Sequence, residues 1–135
     1  MKPSKPAKRF GVKLHVREGK GEGHWLHVRV NGVDYEFQYT GGSLNNGNHE
    51  AYVGDGENIL DVELHHADDR YGIDSGGFDP EKPSEFWFTR IDELHAEVHD
   101  ANTVETETRY TVYVLDSKLG NTVPCHPMMK NVPPP

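Results

Sequence analysis

The chain has 135 residues and a mass of 15.2 kDa, room for one domain with a modest core. Its 34% hydrophobic content, 14 glycines and nine prolines suit many short elements joined by turns. One cysteine and no apolar run of membrane-spanning length exclude an internal disulfide, an all-cysteine zinc site and a transmembrane helix.

The formal charge of −8 is unevenly placed. Residues 1–20 hold seven basic side chains and one acid, Glu18, whereas the remaining 115 residues hold seven basic and 21 acidic ones. The basic start is interrupted by Pro3 and Pro6, so residues 1–9 are expected to form a flexible arm. No apolar segment follows it, so neither a secretory leader nor a membrane partner is expected, and the chain is assigned to the cytoplasm. The acidic body repels phosphate backbones, which argues against nucleic acid.

Period-two alternation dominates the chain from Phe10 onward. Phe10, Val12, Leu14 and Val16 alternate with Gly11, Lys13, His15 and Arg17, which predicts a half-buried strand. After the turn-like run Glu18–Gly23, Leu26, Val28 and Val30 alternate with polar residues. Asn31-Gly32 comes next, and then Val33, Tyr35, Phe37 and Tyr39. Asn-Gly accepts the two positive φ values of a type I′ turn. A two-residue loop pairs Val30 with Val33, Val28 with Tyr35 and Leu26 with Phe37, which predicts one buried face for all six.

Residues 41–48 read as a loop, and residues 50–53 as a short strand. Leu60, Val62, Leu64 and His66 alternate with Asp61, Glu63 and His65 in a further strand. Residues 67–84, rich in Asp, Gly and Pro, are expected to be one long irregular loop. Phe86 and Phe88 open another strand, whose phase continues through Leu94, Ala96 and Val98; strand is preferred over a short helix at 91–99. After a polar loop at 100–107 come Tyr110, Val112 and Val114, and then a last edge strand within Thr122–Met129, limited by Pro124 and Pro127. Residues 131–135 read as a proline-rich tail. Seven to nine short strands without a helix predict an all-β antiparallel sandwich at 10–130, jelly-roll or immunoglobulin-like, with a closed barrel as the alternative.

Candidate chemistry is of two kinds. His95, Glu97 and His99 fall on one strand face about 6.6 Å apart, a spacing that suits a divalent metal held by imidazoles and a carboxylate. His65, in the outward row Asp61-x-Glu63-x-His65, is the candidate fourth ligand. Calcium is a second option, from Asp55 and Glu57 or from Asp68, Asp69, Asp74 and Asp79. Asp74-Ser75-Gly76-Gly77 resembles the nucleophile segment of trypsin-like proteases and the Asp-Ser-Gly of retroviral-type aspartic proteases. The chain is too short for the first, and Phe78-Asp79-Pro80-Glu81 does not continue the second. It reads as a tight turn. Cys125 lies between prolines with His126 pointing away, and phosphate loops are absent.

Exposed aromatics are the other candidates: Trp25 and Trp87, on faces opposite the apolar rows, and Tyr71 in the long loop. The expected function is therefore a non-catalytic binding or interaction module for a protein or carbohydrate partner, using Trp25, Trp87 and Tyr71. The alternative is a metal-binding protein or metal-dependent enzyme using His95, Glu97, His99 and His65, with zinc or calcium the possible cofactor and no other implied. Free sheet edges favour a homodimer.

Overall fold

The computed structural model describes residues 6–65 and 69–133. Among them are eleven strands and no helix. These are β1 (Lys8–Glu18), β2 (Leu26–Val30), β3 (Val33–Gly41), β4 (His49–Tyr52), β5 (Asn58–Leu64) and β6 (Tyr71–Asp79), followed by β7 (Phe86–Arg90), β8 (His95–Asp100), β9 (Thr106–Asp116), β10 (Asn121–Cys125) and β11 (Met128–Val132). One sheet has six strands in the order β2-β3-β1-β5-β8-β7. The other has five, β10-β9-β11-β4 with β6 also paired to β9. The two curled sheets form a half-barrel around a common core.

The expected antiparallel architecture is corrected, because both sheets are mixed. β1 runs parallel to β5, and β4 runs parallel to β11. β3 returns antiparallel along one side of β1; the chain then leaves for β4 in the second sheet and comes back as β5 on the other side of β1. Alternation fixes which side chains share a face, but not which strands are neighbours or in which direction they run.

The Asn31-Gly32 hairpin forms in the expected register, with φ of 49° and 78° at the turn. Tyr35 and Phe37 are buried, but Leu26 remains 53% exposed. β2 has a partner on one side only, so the end of its apolar row lies beyond the cover of the second sheet. The core combines Val12, Leu14, Tyr35, Phe37, Leu60, Val62 and Val98 from the first sheet with Ile73, Tyr110, Val112, Val114 and Val123 from the second.

Three boundaries differ from expectation. β1 starts at Lys8, where the Lys8 and Arg9 positions pair with Asn58 and Ile59, so the expected arm ends earlier; residues 1–5 lie outside the described residues. Asn131 and Val132 belong to β11 and pair with Ala51 and Tyr52, which removes them from the expected tail. The expected loop at 67–84 contains β6, a nine-residue strand paired along β9. Asp74-Ser75-Gly76-Gly77 is therefore a bulged strand, with the register shifting between Ile73 and Ser75. Gly76 is required there by close approach: a Cβ on it would lie 2.2 Å from the Phe88 ring.

Two polar networks close the ends of the core. At one end Asp116, with no exposed surface, accepts hydrogen bonds from Arg70 Nε (2.7 Å) and Nη2 (2.8 Å) and from the Tyr35 hydroxyl. Asn121 donates to that hydroxyl and accepts from the turn residue Asn31. Arg70 also reaches Glu18 at 2.7 Å. The Arg70 guanidinium, more than the Tyr35 hydroxyl, holds the Asp116 carboxyl down at about 2. At the opposite end of β1, Glu85, Asp100, Asn102 and Asn131 are buried together, and burial pushes the Asp100 carboxyl up to about 6.

Candidate functional site on the outer face of the six-stranded sheet

The side chains opposite the core on β1, β5, β8 and β7 meet in cross-strand rows. One row runs Arg9–Ile59–His99–Trp87, the next Gly11–Asp61–Glu97–Thr89, and a third Thr40–Lys13–Glu63–His95. The parallel neighbour β5 is what brings the basic side chains of β1 against the acids of β5 and β8. Arg9 Nη1 donates to Asp61 at 2.7 Å and to Glu97 at 3.0 Å. That guanidinium, aided by His99, draws the Glu97 carboxyl below its ordinary value.

Gly11 breaks this charged surface. A Cβ on it would meet nothing within 4 Å, and above it opens a groove of about 450 Å³. Lys13, Thr40, Glu63, Ile91, His95 and Glu97 form its rim. Glu97 links the groove to an aromatic pair, because its carboxylate lies 3.2 Å from His99 Nε2. The His99 ring stacks on Trp87 with centroids 5.0 Å apart and planes 6° apart. His99 Nδ1 lies 3.1 Å from Glu57, which fixes the ring from behind. Trp87 keeps 38% of its surface exposed.

A second aromatic group lies toward the opposite edge of the same sheet. Trp25 carries the Arg17 guanidinium 3.9 Å from its ring centroid and meets His15 edge-on at 6.3 Å. His15 stacks on His65 at 4.6 Å. Desolvation, then His65 and Lys13, lowers the pKa of His15 and favours its neutral ring.

No protein-family model matches this chain. No curated protein matches it either.

The expected metal row does not converge. His95 Nδ1 lies 2.8 Å from Asp92 and Nε2 3.9 Å from Glu63. His99 is taken by Glu57, Glu97 and Trp87, and His65 by His15. Among the described residues, no group of three or more His, Cys, Asp or Glu side chains is placed to hold a metal ion. In the acidic loops Asp55 pairs with Lys8, Glu57 faces His99 and Asp74 accepts from Ser75, while the candidate Asp68 lies outside the described residues.

Tyr71 stands apart from both tryptophans. It belongs to the second sheet and borders a separate depression with Arg90 and Glu93. Its hydroxyl is buried without a partner, and desolvation raises it to about 12. Neither nucleophile candidate is activated. Cys125 is fully buried, with its thiol pushed far up by desolvation, and the hydroxyl of exposed Ser75 donates to Asp74. The alternation of β1 already displays Arg9, Gly11 and Lys13 as outward positions. What sequence reasoning lacks is the neighbour that turns them into a site.

Among the described residues no helix is long and apolar enough to cross a membrane.

Proposed function

We propose that this chain is a non-catalytic binding module of the β-sandwich type whose ligand is a carbohydrate, held on the outer face of the six-stranded sheet. The observation that carries the reading is the groove over Gly11, whose rim residue Glu97 lies 3.2 Å from the His99 ring that stacks on the exposed Trp87. A sugar ring has an apolar face of C–H bonds and a rim of hydroxyls. Trp87 offers the first a flat surface, and Glu63, Glu97 and His95 offer the second acceptors and donors at fixed positions. Arg9 holds Asp61 and Glu97 in place and offsets one of their two charges, so the groove presents oriented acceptors at fixed positions.

Glycan-array screening of the intact chain, followed by calorimetry on the retained glycans, tests this. Gly11→Phe fills the groove from a position with open space above it, and Trp87→Ala removes the platform. Each is expected to weaken binding at least about tenfold, the effect of losing about 1.4 kcal/mol, with the melting temperature little changed. Retention of no glycan, or full affinity in Gly11→Phe, refutes the reading.

A further inference from the structure

The buried polar knot at the Asp100 end of the core has no part in that groove. β8 ends at Asp100, Asn102 sits just beyond it with a left-handed φ of 59°, and Asn131 comes from β11. None of the three is more than 1% exposed. Asp100 Oδ1 accepts from the Asn102 backbone N–H and from Asn131 Nδ2, both at 2.8 Å. The same Nδ2 lies 3.2 Å from Glu85 Oε1, so one amide bridges two carboxylates. Asn102 Nδ2 donates to the carbonyls of Tyr52 and Gly56. The donors are thus spent, and one oxygen on each side chain has none: Asp100 Oδ2, Asn102 Oδ1 and Asn131 Oδ1 are buried without a hydrogen-bond partner. Folded proteins leave few such atoms, and three in one connected cluster call for an occupant.

Charge narrows the choice. Glu85 is held by the N–H groups of Thr103 and Val104, the Thr103 hydroxyl and Asn131, all of them neutral. Glu57 adds a further negative field on Asp100, although His99 faces Glu57 itself. Lys82, whose carbonyl accepts the Glu85 N–H, turns its ammonium to Thr106. Among the described residues no Lys, Arg or His pairs with Asp100 or Glu85. A water molecule would satisfy the oxygens and leave two buried carboxylates uncompensated; a cation does both. The free atoms are all oxygens. The nearby imidazoles are engaged: His49 at both nitrogens, by the Ser43 N–H and Asn58, and His99 by Glu57 and Glu97. Oxygen donors of this kind select hard cations.

We propose that a cation of the calcium class binds where Asp100, Asn102 and Asn131 meet, through the free oxygen of each. Nearby carbonyls and water complete its shell, since calcium takes six to eight oxygens. The site shares no residue with the carbohydrate groove and stands or falls separately from it.

The test is thermal melting of the EDTA-treated chain in EDTA, in millimolar CaCl2 and in millimolar MgCl2. Calcium is expected to raise the melting temperature by several degrees, because a ligand that binds only the folded state stabilises it by mass action. Magnesium, which demands a tighter octahedral shell, is expected to raise it less. Asp100→Asn is expected to abolish the calcium response. Asn131→Asp adds a carboxylate and removes the bridging donor; it is expected to melt lower than the parent in EDTA and to recover in calcium. If Asp100→Asn does not fold, the parent chain and Asn131→Asp decide the matter. Identical melts of the parent chain in EDTA and in calcium overturn the proposal and assign the gap to water or a proton. A full calcium response in Asp100→Asn overturns the assignment to these residues.

Discussion

Asp116→Asn tests how much the buried Arg70–Asp116 ion pair stabilises this end of the core. The substitution keeps the shape of the side chain but removes the charge that faces Arg70 and turns one of two accepting oxygens into a donor that meets the N–H and O–H groups of Arg70, Lys118 and Tyr35. Arg70 has 15% of its side chain exposed, and Glu18, which it also reaches, is half-exposed and a weaker partner. Removing one member of a buried pair costs about 3–5 kcal/mol, and the residual Glu18 contact places this case at about 3. Unfolding entropy near 2.1 cal/mol/K per residue gives about 0.3 kcal/mol per degree for a chain of this length, so the melting temperature should fall by about 10 °C at pH 7. The same network predicts the pH dependence. The folded carboxyl titrates at about 2, below its ordinary value of 3.8, so its contribution is complete above pH 4. It is lost as pH falls from about 4 through 2, and amounts to roughly 2 kcal/mol. Parent and variant should therefore differ by about 10 °C in calorimetry at pH 7 and by only about 3 °C near pH 2. A difference under 2 °C at pH 7, or one that does not shrink in acid, would show that the pair does not stabilise this end of the core.

Gly32→Val should destabilise the chain by about 1–2 kcal/mol in urea unfolding, because φ is +78° and a β-branched side chain resists that conformation. The added Cβ meets nothing within 4 Å, so the cost is backbone strain alone, and Gly32→Asn should cost much less; equal losses for the two would refute the assignment. Cys125 should resist a thiol reagent in the native chain at pH 8 and react only in denaturant, since it is fully buried with its thiol pushed far up. Rapid native labelling would contradict both its burial and its inertness.

Legibility in the sequence tracks the range of the interaction. Alternation is a local property, and it locates the hairpin from Leu26 to Phe37, its register and its turn. It also places His95, Glu97 and His99 on one face of a strand, as β8 shows. It does not say what lies across from that face. Across from it lie Arg9, which takes Glu97, and Glu57 and Trp87, which take His99, contributed by β1, by the segment before β5 and by β7, while His95 turns to Asp92. A metal site needs convergence, and His95 turns away from the Glu97–His99 pair toward Asp92.

Turn composition misleads for a related reason. Gly and Asp favour turns, but Gly76 is small because Phe88 packs against its backbone, and β6 is held by its long pairing with β9. The same limit hides the Asp100 knot. Asp100 and Asn102 read as polar loop and Asn131 as tail, since hydrophilic residues outside an alternating segment signal solvent. Their burial arises from the parallel pairing of β11 with β4 and from the end of β8 lying beside the start of β5, contacts between segments far apart in the chain. Such residues are polar where an apolar side chain would fill the space at lower cost. A role that needs the oxygens explains their presence better than packing does. That is the physical reason for looking for a cation at these buried positions and not at the histidine row, where ion pairs, hydrogen bonds and the Trp87 stack account for the residues present.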